Sequence, residues 1–71
     1  MKIEMIKTYI EKNMSWYDYL FDGSVKVIWN NPKISGNVVI IEALYDDYYM
    51  DTVEIELLDL LTFIFEISIN Q

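Results

Sequence analysis

Residues 38 to 56 limit the fold of this chain more than any other stretch. An apolar run, Val38-Val39-Ile40-Ile41-Glu42-Ala43-Leu44, leads through Tyr45 to Asp46-Asp47 and returns as Tyr48-Tyr49-Met50-Asp51-Thr52-Val53-Glu54-Ile55-Glu56. The return alternates strictly. Asp51, Val53 and Ile55 fall on one side and Thr52, Glu54 and Glu56 on the other, because successive strand side chains point to opposite faces. Two such runs around a turn-forming pair predict a β-hairpin with one face rich in carboxylates and tyrosines.

The segments around the hairpin suggest what packs against it. Ile3, Ile6 and Ile10, with Lys and Glu between them, give residues 2 to 13 the apolar stripe of an amphipathic helix, with Lys7 and Glu11 placed for an i, i+4 pair. Residues 14 to 23 read two ways. Ile10, Met14, Tyr17 and Phe21 keep one helical face, which favours helix, with Gly23 as a left-handed cap. Tyr17, Tyr19 and Phe21 also alternate, and Asp22-Gly23 is a hairpin signal, which would add a strand. Val25 to Trp29 reads as a strand. Asn30 to Asn37 is rich in turn formers and reads as the loop that joins it, antiparallel, to Val38–Leu44.

The last segment favours helix. Leu57, Leu58, Leu61, Ile64 and Phe65 recur at helical spacing, while Asp59, Thr62 and Glu66 form a narrow polar stripe, so a helix buried on most of its circumference is expected. The competing reading is a strand, since Phe63, Phe65, Ile67 and Ile69 also alternate. The expected fold class is α+β in a single small domain over residues 1–71: an N-terminal helix, a three-stranded antiparallel meander (four strands if residues 14 to 23 form a hairpin), and a C-terminal helix.

Composition bounds function. Seventy-one residues with 54% apolar content fold as one unit near the lower size limit for a self-standing core. With no Cys, no disulfide or thiolate metal site can form, so a dimer or burial against a partner is a reasonable expectation. With no His as well, and only Gly23 and Gly36 as glycines, the chain lacks the parts of a nucleophilic site or a phosphate-cradling loop, and no enzyme activity or cofactor is expected. Asp46, Asp47 and Asp51 carry oxygen ligands that suit Ca²⁺ or Mg²⁺. Their spacing does not match a calcium loop, and no metal is expected.

Charge is divided unevenly along the chain. All five lysines and four acids lie in the first 33 residues, for a net +1; from Ile34 onward there are eight acids and no base, for a net −8. Direct nucleic-acid binding needs cations to displace counterions and is disfavoured. Binding to a cationic protein surface is permitted, including one that normally holds nucleic acid. Glu42, Asp46, Asp47, Asp51, Glu54 and Glu56 are the candidate contact carboxylates, with Tyr45, Tyr48 and Tyr49 as aromatic anchors of the kind enriched at interfaces. The plainer reading is that these acids only solvate the sheet and guard its edge. Carboxylates on one strand face repeat at about 6.5–7 Å, comparable to the step between neighbouring phosphates of a nucleic acid.

Of the aromatics at residues 16 to 21, Tyr17 and Phe21 are expected in the core, while Trp16 and Tyr19 fit either core or contact surface. Leu57, Leu60, Leu61, Phe63, Ile67 and Ile69 exceed what one small sheet covers. The start, Met1-Lys2-Ile3-Glu4, lacks a signal-peptide pattern, and Leu57–Ile69 is too short to span a bilayer, so a cytoplasmic protein with no membrane contact is expected.

A short acidic α+β chain with AT-rich coding character (no Arg; many Ile, Lys, Asn and Tyr) and a carboxylate–tyrosine hairpin resembles the small phage-encoded inhibitors, the anti-CRISPR proteins and nucleic-acid mimics. The resemblance covers composition and the stretch Glu42 to Asp59. It implies that the surface carboxylates occupy the nucleic-acid channel of a host effector or nuclease in the host cell cytoplasm. The alternative is a non-enzymatic assembly module that forms a homodimer through Leu57–Ile69.

Overall fold

The computed structural model describes residues 2–70 and shows the α+β architecture expected, in the order α1 (Ile3–Asn13), a 3₁₀ turn (Ser15–Leu20), β1 (Val27–Ser35), β2 (Val38–Tyr45), β3 (Tyr49–Glu56) and α2 (Leu57–Ile69). The strands form an antiparallel meander in the order β1-β2-β3. The thinnest dimension of the fold, 19 Å, has room for one sheet and one helix layer. Both helices pack on the same sheet face, and the other face has no cover.

Alternation selects the covered face. Val39 and Ile41 on β2 and Val53 and Ile55 on β3 meet Ile6 and Ile10 of α1 and Leu60 of α2 in one buried cluster. These seven side chains are 0–2% exposed, and no polar side chain is buried among the described residues. The core is therefore held by apolar burial alone, at roughly 1.5–3 kcal/mol for each large aliphatic side chain removed from water.

Residues 14 to 23 resolve as helix rather than hairpin, but not as a continuation of α1. Met14 leaves helical geometry at φ −127° and ψ 74°, and its N–H closes α1 on the Ile10 carbonyl at 2.9 Å. Met14, Tyr17 and Leu20 recur every three residues, which suits the three-residue turn of a 3₁₀ helix and puts Leu20 in the interior. Phe21 stacks on Trp29 with ring centroids 5.6 Å apart, and Trp16 stays exposed. Lys7 pairs with Glu4 at 3.4 Å rather than with Glu11.

The predicted loop at Asn30–Asn37 is largely strand. Asn30 pairs with Glu42 and Lys33 with Ile40, so Asn31 and Pro32 together oppose Ile41 as a β-bulge. Asn31 takes φ 51°, which Asn tolerates, and Pro32 sits in the bulge of an edge strand, with no ladder partner, the kind of position to which proline is confined in sheets. The turn itself shrinks to Gly36-Asn37 between the paired Ser35 and Val38, with Gly36 at φ 61° as a two-residue hairpin turn demands. The Asn37 carbonyl accepts the Leu57 N–H at 2.8 Å, which ties the start of α2 to this turn.

The segment 57–69 is helical, with Leu57, Phe63, Ile64 and Ile67 half-buried and Leu60 fully buried. Phe63 meets Tyr9 of α1 edge-on at 5.3 Å. The expected burial around most of the circumference does not occur. Leu58, Leu61, Phe65 and Ile69 remain 46–67% exposed, because one small sheet and one neighbouring helix can cover only one stripe. Leu60→Ala should cost about 3 kcal/mol in urea unfolding, by leaving a cavity at the centre of the cluster. Leu58→Ala on the outer stripe should change stability by less than about 0.5 kcal/mol.

Candidate protein-binding surface

The hairpin divides the nine candidate residues into three places. Its turn is tight. Asp46 and Asp47 take positive φ, 55° and 62°, a conformation Asp accepts more readily than most residues, and with the 90%-exposed Tyr48 they form the tip. Tyr45 and Tyr49 close the ladder as cross-strand partners. From there the two faces separate by alternation.

Glu42, Glu54 and Glu56 lie on the uncovered face. Glu42 opposes Thr52, and Glu54 and Glu56 follow on β3 opposite Ile40 and Val38. Glu42 accepts a hydrogen bond from the Asn31 side chain at 2.9 Å, so the bulge positions this carboxylate. Among the described residues no lysine forms an ion pair with any of the candidate acids; the one ion pair is Lys7–Glu4, on α1. Lys33 shares the uncovered face, opposite Ile40, which in turn opposes Glu54, but it pairs with no acid. The carboxylates of this face and of the hairpin tip therefore reach solvent without an ion-pair partner and outnumber the one lysine beside them.

Tyr45, Tyr49 and Asp51 lie on the helix side. Tyr45 and Tyr49 stack at 5.4 Å, and Tyr19 of the 3₁₀ turn meets Tyr45 edge-on at 5.7 Å. The Tyr19 hydroxyl donates to Asp51 Oδ2. Tyr17 stands 6.5 Å from Tyr19 and Trp16 6.2 Å from Tyr17, so an aromatic row runs from the 3₁₀ turn to the hairpin. Tyr45 and Asp51 thus already have intramolecular partners, and their first role is to brace the hairpin. Asp22 accepts the Ser24 N–H at 2.8 Å in the loop after the 3₁₀ turn, and the Ser24 hydroxyl donates to the Tyr19 carbonyl at 3.2 Å, which helps to seat that tyrosine.

Two features went unread in the sequence. Tyr19 has no local signal as the partner of Asp51, since the contact spans 32 residues. The uncovered face also carries an apolar row, Ile28–Leu44–Met50, aligned across all three strands beside the carboxylates, with Ile40 and Val38 farther along β2. That row had a visible signal: the run Val38–Leu44 is apolar at consecutive rather than alternate positions, which is the mark of a strand with two apolar faces.

Among the described residues no group of three or more His, Cys, Asp or Glu side chains is placed to hold a metal, and no helix is long and apolar enough to cross a membrane. Comparison with known family models, curated proteins and solved structures finds no match to this chain.

The Tyr19–Asp51 contact has a pH signature. The Asp51 hydrogen bond, then burial, push the Tyr19 phenol above its ordinary value of 10.0; burial, then the charges of Asp59 and Glu56, also raise Tyr9. The folded state holds these protons more tightly than the unfolded chain. The associated stability is complete below pH 10 and declines as pH rises above it, because the unfolded chain ionises first. Alkaline titration followed by tyrosinate absorbance should show late-ionising tyrosines, one of which disappears in Tyr19→Phe. That variant should lose about 1 kcal/mol of stability at neutral pH, the usual worth of one such bond.

Proposed function

We propose that this chain is a non-enzymatic binding inhibitor, of phage or mobile-element type, that covers the basic nucleic-acid-binding surface of a host protein such as a CRISPR effector or nuclease. One observation carries the reading. Glu42, Glu54 and Glu56 stand on an uncovered sheet face, next to Asp46 and Asp47 at the hairpin tip, with no lysine paired to any of them. A face that displays carboxylates at strand spacing beside an exposed apolar row offers both charge for a Lys/Arg surface and area to bury. Tyr48 at the tip and Tyr49, exposed on the helix side next to it, are the anchors best placed to touch a partner. Tyr45 and Asp51 act through the aromatic brace that holds the tip.

A second reading rests on a different surface. The exposed stripe Leu58–Leu61–Phe65–Ile69 on α2 suits an assembly module that pairs with a copy of itself. That reading expects a salt-insensitive dimer in sedimentation, lost in Leu61→Asp or Phe65→Asp. A monomer at all concentrations removes it.

Affinity capture from a low-GC bacterial lysate tests the inhibitor reading. The control is a variant carrying Glu42→Gln, Asp46→Asn, Asp47→Asn, Glu54→Gln and Glu56→Gln, which leaves the Tyr19–Asp51 bond intact. The wild type alone should retain a nucleic-acid-binding protein. Its affinity should fall at least roughly tenfold as salt rises from about 0.05 M to about 0.5 M, because charges at a surface contact are screened. Equal recovery of a partner by both proteins, or retention independent of salt, would rule out electrostatic mimicry.

A further inference from the structure

We propose that the outer edge of β3 takes up an extended, Lys- or Arg-bearing segment of a partner protein as a fourth strand of the sheet. The proposal rests on the acidic-surface reading above and adds to it a backbone mode of recognition.

The sheet ends at β3, which pairs with β2 through all eight of its residues without a register shift and has no strand on its other side. Outside that ladder, no hydrogen bond among the described residues involves the backbone of β3. In an antiparallel pair, alternate residues turn their N–H and C=O groups away from the partner strand. Those of β3 therefore face outward with no acceptor or donor from the chain itself, and such an edge is a template for another strand.

The two edges of this sheet are built differently. On β1 the ladder is broken between Asn30 and Lys33, Asn31 takes a positive φ, Pro32 has no N–H to offer, and Lys33 adds a charge. Each of these is a device that blunts an edge. The other edge, Tyr49 to Glu56, contains no bulge, no proline and no lysine. Its only guards are carboxylates, and they choose the occupant. A second copy pairing edge to edge would bring together two segments that each carry −8 from Ile34 onward, with no base in either. A basic strand would instead be attracted.

The register specifies what that strand should look like. A strand added at about 4.8 Å from β3 places alternate side chains beside Met50, Thr52, Glu54 and Glu56 on the uncovered face. A Lys or Arg beside Glu54 or Glu56 makes a cross-strand ion pair, and an apolar residue beside Met50 extends the Ile28–Leu44–Met50 row. On the other face Val53 and Ile55 are already buried by the helix layer. The recognisable occupant is thus an extended segment with basic and apolar residues on one face.

Residue-resolved amide exchange of the full chain, with and without millimolar capped octapeptide of alternating lysine and valine, tests this. The expected result is at least tenfold slower exchange at alternate β3 amides between residues 50 and 56, those without a β2 partner. A glutamate–valine octapeptide should give no such slowing, and Glu54→Gln with Glu56→Gln should weaken it. Salt-sensitive binding of the lysine peptide without alternating protection on β3 would overturn strand addition and leave the acidic-surface reading standing. Protection unaffected by salt and by the Gln substitutions would keep the added strand and overturn its recognition by charge. Protection in the free protein that grows with its own concentration would make a second copy the occupant and overturn the basic-partner proposal, as would no protection with the peptide.

Discussion

Everything in this structure depends on the burial of one apolar cluster against one face of a three-stranded sheet. Ile6, Ile10, Val39, Ile41, Val53, Ile55 and Leu60 form it, with Leu20 and Ala43 also buried, and no disulfide or buried polar network among the described residues assists. The described residues form two layers, one sheet and one pair of helices. With both helices on the same side, the opposite face has no cover from these residues. The chemistry of that second face is then free of the demands of the core, and here it carries carboxylates and an apolar row.

The hairpin that presents this surface is held from the helix side. Tyr19 reaches Asp51 and Tyr45 from the 3₁₀ turn, and Tyr45 stacks on its cross-strand partner Tyr49. The turn residues Asp46 and Asp47 accept left-handed backbone and keep the tip narrow. The candidate surface is thus a hairpin braced by side-chain contacts rather than an acidic loop without partners, which lowers the ordering entropy that opposes contact with a partner.

Much of the fold was legible in the sequence, and the exceptions share a cause. Ile3, Ile6 and Ile10 announce α1, and the alternation through Val53 and Ile55 announces β3, because each local pattern agrees with the face that is buried. Asn30-Asn31-Pro32 misled because a bulge on an edge strand uses the same residues as a turn. Met14, Tyr17 and Leu20 announced a three-residue period only once Leu20, not Phe21, was seen to be buried. In α2 the apolar residues were countable, but which of them find cover depends on how much surface the sheet and α1 offer. Of the candidate site, the separation of Asp51 from Glu54 and Glu56 followed from alternation, but the expected single face of carboxylates and tyrosines did not form, because Tyr45 and Tyr49 share the helix side with Asp51. The engagement of Asp51 by Tyr19 was not legible, because nothing local in sequence encodes a contact between a 3₁₀ turn and a strand so far along the chain.

The central claim is that the uncovered face and hairpin tip occupy a nucleic-acid-binding surface. The most direct measurement is competition on a captured partner: fluorescence anisotropy of its labelled nucleic acid as this chain is added. The account predicts displacement that saturates at a fixed stoichiometry, with the nucleic acid and this chain never bound together. A ternary complex, with nucleic acid retained while the chain is bound, would contradict it.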